Sequence, residues 1–339
     1  MASLMLPQSF LPRRQRGFSL PELAVALTIS SLILLGLVGY FLAQRQTSQV
    51  TTRLAEQQES LRVAYELLAR DIREARYLPC GGAGNAQLVN GTLLQRVWQT
   101  PLEVLARPDS NFPAPSLPTP FEAYDTNGSA AIRRVKDTDA IVVRYARTDS
   151  IVSATRSGNV LTLDLSATPY NLAKLNLPKV GDSVVVCNFW NTVQTTVTAV
   201  GSGTLTVADL GNLNSQIDRV RIAKLEERLW FLGTTPENLG TTNCSDGKGK
   251  CSLYSVVAGQ SAQEYVSGVE AIKLSRWCHQ NGDLVLCPPN DNTNLTAVRF
   301  DALDILKPVS GAREAPSTTA APPAVKLTSQ PMIAVRNPL

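Results

Sequence analysis

The chain has 339 residues, long enough for one or two domains with a real core. Charged residues make up 18% and the formal net charge is only +4, so bulk electrostatics select neither nucleic acid nor an acidic partner. Much of that positive excess is local. Arg13, Arg14 and Arg16 stand before the longest apolar run, Leu23 to Gln44, whose 22 residues carry no charge. At ~1.5 Å per residue a helix of that length covers ~33 Å and can span the ~30 Å hydrocarbon core. With basic residues before the run and none beyond it until Arg45, residues 1–17 are expected in the cytoplasm and the rest outside. A cleavable secretory signal shares the basic start and apolar core, but it ends on small residues. Here Gly39-Tyr40-Phe41-Leu42-Ala43 continues the helical pattern without an A-x-A site.

Pro21 suits the first turn of a helix, where its missing N–H has no partner to lose. The next proline is Pro79, so Pro21 to Tyr77 can form one helix of roughly 85 Å, loosened at Gly36 and Gly39. Beyond Arg45 the pattern becomes amphipathic. Val50, Leu54, Leu61, Tyr65, Leu68, Ile72 and Ala75 recur at helical steps, with Arg53, Glu56, Arg62, Arg70 and Glu74 on the other faces. From Tyr65 onward this stripe is expected to dock on the protein's own sheet.

After Pro79-Cys80-Gly81-Gly82 the helical period disappears and β-branched runs begin, separated by Gly, Pro, Asn and Asp. Strands are expected at Ala140 to Tyr145, Val160 to Leu165, Ser183 to Cys187, Thr195 to Val200, Thr204 to Val207, Arg228 to Leu232 and Leu253 to Val257. Val269 to Leu274, Ala297 to Phe300 and Met332 to Val335 add candidates. Proline-rich 101–120 and the biased stretch 307–326 read as flexible loops. The fold class is α+β, a long helix laid on a mainly antiparallel sheet.

Six cysteines, Cys80, Cys187, Cys244, Cys251, Cys278 and Cys287, all follow the apolar run. An even count suits disulfides in an oxidising space such as the bacterial periplasm, and neither C-x2-C nor a set of histidines suggests a metal site. Fifteen pairings are possible. Local closure favours Cys244 with Cys251 and Cys278 with Cys287, leaving Cys80 to tie the helix end to Cys187.

The segment Gly17-Phe18-Ser19-Leu20-Pro21-Glu22, basic on one side and apolar on the other, closely resembles the class III signal of type IV prepilins. The resemblance implies a leader at 1–17, a helix at 18–77 that is transmembrane over about 23–44, and an exported β-rich domain at 78–339. It implies cleavage by a prepilin peptidase between Gly17 and Phe18 and N-methylation of Phe18. Glu22 becomes the fifth residue of the mature chain, where pilins carry a glutamate. A carboxylate at the edge of an apolar helix is costly to desolvate unpaired, and the amine of a neighbouring Phe18 is its natural partner. The fragments Asp139 to Tyr145, Gly181 to Cys187, Ser252-Leu253-Tyr254, Gly268-Val269-Glu270 and Val335-Arg336-Asn337 narrow the resemblance to PilW-type minor pilins. Its implied partners are other minor pilins, the major pilin, the inner membrane and the pilus assembly platform. The alternative is a minor pseudopilin of type II secretion.

No catalytic constellation emerges from the sequence, and no enzyme activity or cofactor is expected. The one histidine, His279, adjoins a cysteine better explained as a disulfide partner. Gly81-Gly82-Ala83-Gly84 follows a helix and opens none, unlike a phosphate cradle. Asp125-Thr126-Asn127-Gly128 lacks the distal glutamate of a calcium loop and reads as a turn. Scattered Lys and Arg leave no nucleic-acid surface expected with confidence.

Overall fold

The computed structural model describes residues 19–80, 87–89, 92–106, 115–136, 138–166, 176–188, 190–211, 213, 217–238, 244, 251–281, 283–288, 292, 295–305, 325–326 and 331–335. Its contacts divide the chain into two compact units, up to Ala55 and from Glu56 onward. Helix α1, Leu20–Glu74, belongs to both. It ends three residues earlier than the expected Tyr77. Arg76 adopts a left-handed conformation with φ of 66°, and its N–H turns away to the Arg144 carbonyl at 3.1 Å, which stops the helical ladder ahead of Pro79.

The second unit contains β1 (Gln87–Val89), a short helix α2 (Thr92–Gln99), β2 (Leu102–Leu105), β3 (Arg133–Arg134) and β4 (Ala140–Ala146). These are followed by β5 (Val152–Ser157), β6 (Val160–Asp164), β7 (Ser183–Cys187), β8 (Asn191–Gly201), β9 (Thr204–Val207) and β10 (Arg219–Thr234). The last are β11 (Ser252–Val257), β12 (Gln263–Ser267), β13 (Val269–Gln280), β14 (Asp283–Leu286), β15 (Leu295–Ile305), β16 (Val325–Lys326) and β17 (Met332–Ala334). Among the described residues pairing is antiparallel apart from β1 beside β8, so the α+β expectation holds in outline.

The sheet is not one surface. Strand β7 pairs with β8, β8 with β9, β9 with β6, β6 with β5, and β5 with the start of β10, which pairs back to β7 at Arg221 to Lys224. The six strands therefore close into a small barrel, which removes their edges. Inward Leu161, Val184, Val186, Val193, Leu205 and Ile222 fill it.

From Leu225 onward β10 leaves the barrel and becomes the centre of a second sheet, with β4 and then β2 on one side and β11 and then β12 on the other. A third sheet runs β14-β13-β15, with β16 and β17 along the far edge of β15. Leu61, Leu68 and Ile72 of α1 share one core with Val143 and Trp230 of the second sheet and Val298 and Phe300 of the third. Tyr65 packs edge-on against Phe300, with ring centres 5.7 Å apart. The stripe thus docks as expected and is already buried at Leu61.

Three expectations need correction. Leu102–Leu105 lies inside the proposed flexible loop 101–120 but forms β2, with Leu102, Val104 and Leu105 buried; the prolines flank the strand rather than interrupt it. Val325–Lys326 at the end of the other proposed loop pairs with β15. The five-residue strand Arg228 to Leu232 is really the last part of a sixteen-residue strand, Arg219–Thr234, whose first half carries charges that interrupt the β-branched pattern. Gly17, Phe18, Gly81 to Gly84, most of the stretch 307–326 and Arg336-Asn337 lie outside the described residues.

Candidate functional site

In the first unit α1 begins at a polar cap. Ser19 donates from its N–H and its Oγ to Glu22 Oε2, at 3.3 and 3.2 Å, while its carbonyl accepts the Leu23 N–H at 3.1 Å. This is the glutamate half of a capping box, and it holds the carboxylate against the first turn. The apolar residues that follow are bare. Leu32, Leu34 and Leu35 are exposed, Leu35 at 70%, and none of the apolar window of this helix is buried within the protein. Thr28 and Ser31 satisfy their hydroxyls on the helix's own carbonyls, Val25 O and Thr28 O, both at 2.8 Å. A surface this apolar, with its polar groups closed inward, suits lipid or other helices better than water. Val50 and Leu54, which lie on the apolar stripe before the part expected to dock, are exposed as well.

In the second unit the remainder of α1 is clamped by charge as well as by packing. Asp71 falls on the buried stripe, between Leu68 and Ala75. Its Oδ2 accepts the Trp230 indole N–H at 2.8 Å and lies 3.5 Å from Arg228 Nε. Arg228 reaches Glu226 at 2.5 Å; Glu226 also meets Arg147 at 3.0 Å and accepts from the Tyr145 hydroxyl at 3.3 Å. Alternation along β10 sends Glu227 to the opposite face. There it meets Arg144 at 2.5 Å and Arg96 of α2 at 2.9 Å, while Arg144 also reaches Glu103 of β2 at 2.8 Å.

This ionic layer shifts nearby groups. Burial, then the negative Asp71 and Glu226, push the Tyr145 phenol well above its ordinary range. Burial followed by Asp71 also raises the Glu74 carboxyl, and burial lowers the Arg76 guanidinium, which lies 5.4 Å over the Trp98 ring. The residue reading above missed this layer. Its available signal was an acid on the apolar stripe of a helix and three consecutive charges inside an apolar strand.

The six cysteines form three disulfides, Cys80–Cys187, Cys244–Cys251 and Cys278–Cys287, the pairs that local closure favours. The first joins the segment after α1 to barrel strand β7 across 107 residues, with Cα atoms 6.0 Å apart. The third bridges the β13–β14 hairpin, where His279 is exposed opposite Leu284. Asp125 is occupied as a turn residue, accepting from Leu117 N at 3.2 Å and Thr126 N at 2.9 Å. A Cβ on Gly128 would sit 2.1 Å from the Ala123 carbonyl oxygen, so that turn closes only on glycine.

The chain matches the prokaryotic N-terminal methylation motif over residues 12–38. It has a type IV prepilin-like N-terminus. The matched residues span the basic segment, the cap at Ser19 and Glu22 and the exposed apolar turns, so motif and membrane-length helix are continuous. A prepilin-like leader implies processing by a prepilin peptidase and pilus-related assembly in a membrane, with the apolar helix as the anchor. No curated protein and no solved structure matches the chain.

Proposed function

We propose that this pilin-like chain is a minor pilin of the PilW type, a structural subunit rather than an enzyme, that takes part in starting or capping a type IV pilus. Prepilin peptidase cuts between Gly17 and Phe18, the new Phe18 amine is methylated, and residues beyond about 44 face the periplasm while the apolar helix stays in the inner membrane. Glu22 pairs with the Phe18 amine of a neighbouring pilin, which registers one helix on the next, and the assembly platform draws the subunit into the filament with other minor pilins and the major pilin. The single observation that carries this reading is the methylation motif at residues 12–38 running directly into an apolar helix that the protein itself leaves uncovered. The layer around Asp71 and the Cys80–Cys187 bridge support it, because a subunit held by its helix must pass load from that helix to its β-rich unit.

The test is a Glu22→Ala variant expressed from its native locus. The expected outcome is normal removal of the leader with incorporation into sheared pili reduced at least about tenfold, the loss of one desolvated ion pair. Wild-type incorporation would refute the pairing role. Recovery in a secretion pseudopilus instead of a surface pilus would move the chain to type II secretion.

A further inference from the structure

A polar cleft on the outer wall of the barrel plays no part in the assembly reading. Its floor crosses four strands in order. Cys187 of β7 lies opposite Arg221 of β10, Arg221 opposite Ser153 of β5, and Ser153 opposite Asp164 of β6; one step along, Arg219 lies opposite Thr155. Val220, Ile222, Ala154 and Leu161 point into the barrel core, so alternation turns the two arginines and the two hydroxyl residues outward. Pro79, Cys80 and Asn188 complete the lining of a space of about 650 Å³, within the range of small-molecule sites.

The groups there are prearranged. Arg221 Nη1 donates to the Pro79 carbonyl at 3.1 Å, which fixes that guanidinium against the wall. The Arg219 guanidinium is exposed and has no partner among the described residues. Asp164 accepts from Ser166 Oγ at 2.7 Å through Oδ1. Asn188 Oδ1 accepts the backbone N–H of Trp190 at 2.9 Å and of Asn191 at 2.8 Å.

We propose that this cleft binds a carboxylated saccharide. Arg219 pairs with the sugar carboxylate, a fork-on-carboxylate geometry that a guanidinium is built for. Ser153, Thr155 and Asp164 exchange hydrogen bonds with ring hydroxyls. A nucleic-acid strand fits less well. It needs a row of cations along successive phosphates, whereas this floor has two guanidiniums, one already held by Pro79, with a carboxylate beside them. The site is independent of the assembly reading, and Glu22→Ala should leave it unchanged.

The test is calorimetric titration of the full-length protein in detergent with an α-1,4-galacturonate hexamer as the probe. Parallel titrations use maltohexaose, inorganic phosphate and an oligo-dT strand. Saturable binding of the uronate is expected, at least about tenfold tighter than that of the neutral sugar, with Arg219→Ala weakening it about tenfold, the loss of one charge-assisted pair. Arg219→Ala should keep all three disulfides on non-reducing peptide maps, which separates lost binding from misfolding. Absence of uronate binding at millimolar concentration, equal affinity for maltohexaose, full competition by phosphate, tighter binding of the oligo-dT, or an unchanged Arg219→Ala variant would each overturn the proposal.

Discussion

Asp71 is an acid with its side chain almost wholly buried, tolerated because both of its neighbours across the interface are donors, the Trp230 indole and the Arg228 guanidinium. Asp71→Ala strands both and is expected to lower the unfolding free energy by about 3 kcal/mol; Asp71→Asn, which keeps an acceptor, should cost less than half of that. Denaturant titration of the detergent-solubilised chain measures both. The nearby shifts fix the pH response. Glu74 is raised in the folded state, so folded protein binds more protons than unfolded in that window; its contribution is present at low pH and lost as pH rises through the raised value. Glu74→Gln should therefore be at least as stable as the parent at neutral pH and lack its extra acid-side stabilisation. Tyr145 is raised for the same leading reason, burial, so the stability it contributes is complete below the ordinary phenol value of about 10 and fades above it. Tyr145→Phe should flatten that alkaline decline in a melting series. At this scale Glu22 was singled out by its place relative to Gly17 and the apolar run, and the structure adds its cap with Ser19. Glu226, Glu227 and Arg228 were not, since a charged triplet within a strand becomes interpretable only when partners such as Arg147, Arg144 and Asp71, distant in sequence, are brought to it.

Elements were legible where local pattern and tertiary demand agreed. Ser183–Cys187 and Thr204–Val207 have the bounds their β-branched runs suggest. Other strands hid. Val152–Ser157 carries Ser153, Thr155 and Ser157 on its outer face, and Asp283–Leu286 is a short hairpin arm that depends on the Asn281 turn, with φ of 54°. Helix α2 is amphipathic over only two turns and owes its place to Leu94 and Val97, buried beside Val185 and Leu225. Barrel closure could not be read from any window, because it depends on one strand, β10, pairing with both β5 and β7. The Cys80–Cys187 bridge ties that barrel to the segment after α1. Replacing both cysteines by serine frees a loop of 107 residues and is expected to cost about 4 kcal/mol. Limited proteolysis should then cut between Cys80 and Cys187 at protease levels the parent survives, and parental resistance in the serine variant would argue against the bridge as a fastener.

Among the described residues, the first unit buries nothing of its apolar helix, whereas the second packs its own core and pairs Asp71, Arg144, Glu226, Glu227 and Arg228 internally. That division is what a membrane-held subunit requires, since one part must remain available to lipid and neighbouring helices while the other folds by itself. The methylation motif fits both roles, since in the function proposed above a cut ahead of the helix would leave the anchor in place and create a new amine four residues before Glu22. The most direct test is intact mass and N-terminal peptide mass spectrometry of the protein isolated from membranes. The account predicts a mature chain that begins at Phe18 with a methyl group on its amine. A mature chain that begins beyond residue 44, having lost the helix, would contradict it.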